Sequence, residues 1–96
     1  MRMLLLVELD TVTTNQAISE GNFASAVEQL LDHLQPEAAY FYARSGRRAF
    51  LIVVDVPDAA SLPSVAEPLW LQLNAHVEAV PCMNRDELRE GLARLG

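Results

Sequence analysis

Lysine is missing from this sequence, so all seven basic residues are arginines, and neither Schiff-base chemistry nor a phosphate-binding P-loop can be built from the chain alone. Cysteine occurs once, at Cys82, which excludes an internal disulfide and fits a reducing compartment. One thiol and two scattered histidines, His33 and His76, match no zinc spacing and form no helical ligand pair for heme, so neither a metal nor a cofactor is expected. Long hydrophobic runs are also lacking. The apolar stretch after Met1-Arg2-Met3 is cut by Glu8 and Asp10, well short of the ~20 residues a membrane span needs, and no Ala-x-Ala cleavage site follows it. Positive charge is scarce as well: thirteen acidic residues against seven basic ones leave a net charge of −6, the wrong sign for neutralising phosphates or anionic lipid. The expectation is a cytoplasmic protein that binds neither nucleic acid nor membrane.

What is present describes a folded chain. With 96 residues, 51% of them hydrophobic and 21% charged, the sequence suits one globular domain spanning residues 1–96. Met3 to Leu9 reads as a strand, with a loop through Thr11 to Thr14 and one extra helical turn within Asn15 to Gly21. Phe23, Val27, Leu30 and Leu34 recur at helical spacing behind Asn22 as N-cap, and Pro36 ends that helix. Ala38 to Arg44 and Arg48 to Val56 are β-rich runs bracketing Ser45-Gly46, a hairpin signal. The run from Ser61 or Ser64 to Ala75 reads as a second helix on Val65, Leu69 and Leu73, with Ser64 and Glu67 spaced as a capping box and Pro68 predicting a late start or a kink. His76 to Met83 forms a fourth strand, and Asn84 with Glu87 opens a last helix edged by Leu88, Leu92 and Leu95.

The order strand, helix, strand, strand, helix, strand, helix is that of an α+β, ferredoxin-like βαββαβ fold, a four-stranded antiparallel sheet with one helix added at the C-terminus. Two helices cover one face of such a sheet and leave the other bare. Both faces are apolar here: Met3, Leu5 and Val7 alternate with Leu4 and Leu6, and Phe50, Ile52 and Val54 with Leu51 and Val53. The bare face calls for a second copy, so a homodimer with sheet facing sheet is expected; the alternative is that the last helix folds back as the cover.

Alternation also collects polar residues on one face. Tyr40, Tyr42 and Arg44 share a side of one strand, His76 and Glu78 a side of another, and Glu8 lies with Leu4 and Leu6. A partly polar cavity lined by these groups would suit a small organic ligand. His76 is the candidate for proton transfer, since imidazole exchanges a proton near neutral pH, and Tyr42 joins it as a catalytic candidate. Glu8, Tyr40, Arg44, Glu67, Trp70, Asn74 and Glu78 are the candidate ligand-binding residues. Each has a plainer use in a fold: Glu67 and Asn74 as helix caps, Trp70 as core, Arg44 with Arg47 and Arg48 as a solvated hairpin, His33 at a helix C-terminus.

The closing segment Val80-Pro81-Cys82-Met83-Asn84-Arg85-Asp86-Glu87-Leu88 resembles the stand-alone dimeric α+β barrel proteins, whose last strand often ends in Pro-Val-Met before a capped acidic turn and a terminal helix; cysteine stands here in place of the valine. More narrowly, Pro36 to Phe41 (Pro-Glu-Ala-Ala-Tyr-Phe) and Ala66 to Ala75 (Ala-Glu-Pro, then Leu-Asn-Ala at its end) resemble segments of a group of small bacterial proteins of unassigned function. The resemblance implies the fold and a dimer. The wider superfamily includes muconolactone isomerases, cofactor-independent monooxygenases and heme-degrading enzymes, so it implies no single activity. The expected function is a homodimer binding a small organic molecule, between sheet and helices or between the two sheets, with a cofactor-free isomerase or monooxygenase as its enzymatic form. The alternative is a non-catalytic homo-oligomeric or protein-interaction module.

Overall fold

A computed structural model describes all residues from Met1 to Gly96. Its elements follow in the order β1 (Arg2–Glu8), α1 (Thr11–Ser19), α2 (Phe23–Leu34), β2 (Ala38–Arg44), β3 (Arg47–Asp55), a 3₁₀ turn (Ala59–Ser61), α3 (Leu62–Leu73), β4 (His76–Pro81) and α4 (Arg85–Ala93). The strands form one sheet in the order β2-β3-β1-β4, every neighbouring pair antiparallel. This is the ferredoxin-like α+β fold, with α4 added after β4.

Period-two alternation decides which side of the sheet is covered. Met3, Leu5 and Val7 of β1 stand in register with Val54, Ile52 and Phe50 of β3, and all six are almost completely buried. They meet Leu30 from α2 and Leu69 and Leu73 from α3, with Phe23, Leu31, Leu34 and Val65 packed around them. Phe41 of β2 adds its ring to Phe50, centroids 5.3 Å apart. Removing these side chains from water is the main favourable term in folding, at roughly 1.5–3 kcal/mol for each large apolar group.

Local signals set the element ends. Ser45 and Gly46 both take positive φ, 52° and 77°, as a two-residue hairpin requires. Gln35 and Asn74 close α2 and α3 in the left-handed region at φ 49°. Asn84 and Glu87 form the reciprocal capping box at the start of α4.

Four expectations need correction. The stretch read as loop and a single turn is a nine-residue helix: Asp10 is its N-cap, accepting from the Thr13 amide at 2.9 Å and the Thr13 hydroxyl at 2.7 Å, so the threonines form its first turn. Ser64 and Glu67 make no capping box, because α3 takes the earlier of its two expected starts, at Ser61, through a turn capped by Asp58, and the Ser64 hydroxyl donates to the Ser61 carbonyl instead. The helix starts ahead of Pro68 and continues through it, and Trp70 is half exposed rather than core.

The other side of the sheet is uncovered. α4 does not fold back over it, and every residue from Met83 to Gly96 is exposed. No helix is long and apolar enough to cross a membrane.

Candidate functional site

The strand register lays out the open face as a grid. Tyr42, Ala49, Glu8 and His76 stand side by side across the four strands; Tyr40, Leu51, Leu6 and Glu78 form the next row; Ala38, Val53, Leu4 and Val80 the one after. Arg44 and Arg47 close the grid at the hairpin end, Arg2 and Asp55 at the other. Polarity therefore falls from the hairpin end toward the centre, and the third row is wholly apolar.

At the polar end Glu8, Leu9, Asp10, Arg47, Asn74 and His76 line an open cleft of about 260 Å³. Three chain breaks meet there: the end of β1 brings Glu8 to Asp10, the hairpin brings Arg47, and the left-handed turn at Asn74 brings both Asn74 and His76. Arg47 reaches Glu8 at 3.5 Å, and His76 Nε2 lies 3.8 Å from Glu78 Oε1, a pair that carries opposite charges only when the imidazole is protonated. Asp10 is held below the usual carboxylate range by the Thr13 hydroxyl and then the Thr13 amide, with smaller help from the Asn74 side chain and the Arg47 charge. Its Oδ2 accepts both Thr13 bonds at the start of α1, which holds it as a fixed negative charge in the cleft wall. His76 is open to solvent, its side chain 71% exposed and free to meet a ligand.

Of the residues predicted from sequence, Glu8, Asn74 and His76 come together in this cleft, and Tyr40 and Glu78 share the row next to it. Tyr42 shares a row with His76 but stands three strand spacings away, roughly 14 Å at about 4.8 Å per strand, so one ligand-sized group does not touch both within a single chain. Arg44 sits opposite Arg47 at the hairpin end. Glu67 and Trp70 lie elsewhere, in a shallow hollow with Leu62, Pro63 and Ala66 on α3, the layer that covers the other face. Leu9 and Asp10 are cleft members that the sequence prediction passes over, and Arg47 enters from the hairpin cluster of Arg44, Arg47 and Arg48, of which only Arg44 is among the predicted binding residues. Asp10 followed a strand as a plain terminator, and its meeting with Arg47 depends on β1–β3 register, which no local pattern reveals.

A second, mostly apolar hollow of about 320 Å³ lies near Met1, Met3, Val56, Pro57 and Leu62. Its polar side chain, Asp58, is already engaged in the turn before α3, so no polar groups converge there. No group of three or more metal-binding side chains occurs in the structure.

No protein-family model matches the chain, and no curated protein matches it in sequence. Among solved structures, a formyltetrahydrofolate deformylase from Pseudomonas putida KT2440 superposes over 88% of this chain with a TM-score of 0.49 and 11% identity. This chain spans only 30% of the length of that one. Ferredog-Diesel, a de novo designed protein, superposes over 83% of both chains with a TM-score of 0.45 and 8% identity. Likeness at this level adds nothing about chemistry; the strand order and pairing of the chain itself define the fold.

Proposed function

We propose that the protein is a homodimer that brings its open sheet faces together and holds a small polar organic molecule at the Glu8–His76 end of that face. The observation that carries this reading is the convergence of Glu8, Asp10, Arg47, Asn74 and His76 on one cleft at the rim of a sheet face whose centre is apolar. Arg47 and the Asn74 amide offer hydrogen bonds to a polar ligand, and Leu6 and Leu51 in the next row offer contact for its carbon skeleton. His76 is the group that can take a proton from one ligand atom and return it to another, with Glu8 and Glu78 nearby to steady the charged imidazole. A proton-shifting isomerisation without a cofactor is the reaction class this set supports.

A native mass spectrum of freshly purified protein tests the reading. A dimer carrying extra mass that His76→Ala loses is the expected result. A monomer would overturn it. A bare dimer that stays bare across a small-molecule library would favour the second reading, a non-catalytic assembly module, whose support is the large uncovered sheet face itself.

A further inference from the structure

Helix α4 is well formed yet touches no core. Its leucines Leu88 and Leu92 are 45% and 57% exposed, and Leu95 just beyond it is 82% exposed. Nine residues make a marginal helix in water by themselves, so something must hold it. Part of the answer is at its start: the Asn84 carbonyl oxygen of the side chain accepts from the Glu87 amide, the Asn84 amide donates to Glu87 Oε1, both at 2.8 Å, and Arg2 bridges Glu37 and Glu87. Those contacts fix the direction in which α4 leaves the sheet. Arg89–Asp86 and Arg94–Glu90 pairs lie along its length. Leu88, Leu92 and Leu95, spaced four and three apart, form one apolar edge that nothing in the chain covers.

Size tells the same story. A compact monomer of this mass exposes about 5,500 Å² and 96 residues pack to a radius of gyration of about 12.5 Å. This chain exposes 6435 Å², has a radius of gyration of 15.2 Å and measures 56 Å along its longest axis. The excess surface, roughly 900 Å², is close to the ~800 Å² that each partner gives up in a standard specific interface.

We propose that α4 is an intersubunit arm, and that in the dimer the Leu88–Leu92 edge of each chain packs against the second copy. A second copy is the occupant because the arm starts at the open face: Arg2, which shares that face with Leu4 and Leu6, pairs with Glu87 in the first turn of α4. Val80 closes the apolar row Ala38–Val53–Leu4–Val80, and the chain passes from it through exposed Met83 directly into α4. A two-fold operation applied once covers the face and the arm of both chains, which an unrelated partner would have to satisfy separately. This inference rests on the homodimer reading and adds the element that clasps it.

The test is a dilution series by sedimentation velocity on full-length wild type, the double variant Leu88→Glu/Leu92→Glu, the milder Leu92→Ala, and Leu71→Glu, which changes a still more exposed leucine on α3. Far-UV circular dichroism confirms that each chain is folded. The expected result is a wild-type dimer whose dissociation constant rises at least about 100-fold in the double variant and about tenfold in Leu92→Ala, and is unchanged in Leu71→Glu. A wild-type dimer with an unaltered constant in the double variant and in Leu92→Ala would overturn the arm while leaving the dimer standing. An equal weakening by Leu71→Glu would also overturn the arm, since any surface charge would then do the same. A wild-type monomer would remove the homodimer and the arm together.

Discussion

The two faces of this sheet are woven from the same strands and have opposite fates. On the helix side Leu5 and Ile52 are completely buried; one residue along, on the open side, Leu6 and Leu51 are only partly so, and Tyr40 is 67% exposed. In the middle of the two central strands hydrophobicity does not distinguish them, since leucines and valines occupy both. The difference lies in what lies above: α2 and α3 supply an apolar stripe to one side, and nothing in the chain supplies one to the other. The covered face accounts for the fold of a single chain, and the open face is where we propose that a partner and a ligand bind.

The largest break in that comparison should come from substitutions at adjacent positions of β3. Ile52→Ala leaves a cavity in the core and should cost about 2–5 kcal/mol, a large part of the ~5–15 kcal/mol typical of a domain. Leu51→Ala, one residue away on the open face, should cost the dilute monomer no more than about 1 kcal/mol. Urea unfolding of both variants, at concentrations low enough to suppress association, gives the two numbers. Equal losses would mean that the open face is packed in the single chain after all.

Next in size is the converse experiment. Leu6→Glu places a charge in the middle of the open grid, between Leu51 and Glu78, without touching the covered core. The proposed dimer should weaken at least about 100-fold, about 2.7 kcal/mol, while far-UV circular dichroism stays as in wild type. An unweakened dimer would move the interface to some other surface.

How much of this was legible beforehand depends on how far apart the decisive residues lie. The alternation in Met3 to Val7, the Ser45-Gly46 turn and the Asn84–Glu87 box are local, and each specifies its element where the sequence predicts it. Helix α1 escaped because its residues contradict its state: Thr11, Val12, Thr13 and Thr14 are β-branched, Val12 and Ile18 point into solvent, and Thr14 is its one buried residue. A cap, Asp10, outweighs that propensity. The cleft was half legible for the same reason. His76 and Asn74 are two residues apart and Glu8 lies on a readable strand face, but Asp10 and Arg47 enter through pairing between β1 and β3, more than thirty positions apart.

Asp10 allows a smaller and sharper test, because it belongs to both the fold and the cleft. Asp10→Ala removes the acceptor for the Thr13 amide and hydroxyl and should lower the urea midpoint by roughly 0.5 M. Asp10→Asn keeps a good N-cap and removes only the charge. The folded state makes Asp10 more acidic than it is in the unfolded chain, so its ionised form stabilises the fold above the unfolded value near pH 3.9, and this contribution is lost as pH falls through the lower folded value. The advantage of wild type over Asp10→Asn should therefore be complete at pH 6 and shrink below about pH 4. An advantage that grows on acidification would reverse the assigned direction.

The smallest expected effect belongs to Arg47, three residues before fully covered Phe50. Arg47 and Glu8 face each other at 3.5 Å with the arginine side chain 64% exposed, and pairs of that kind contribute roughly 0.2–1 kcal/mol, less as salt rises. Arg47→Ala should change stability by under about 0.5 kcal/mol, and the difference from wild type should vanish in about 0.5 M sodium chloride. The same variant removes the one arginine lining the cleft, so a ligand recovered with the wild-type dimer should be lost or bound at least about tenfold more weakly. Small cost and large loss together would separate the roles of the two faces at a single residue. A large loss of stability instead would show that Arg47 holds the β1–β3 end of the sheet together, and the polar rim would then belong to the fold as much as the covered core does.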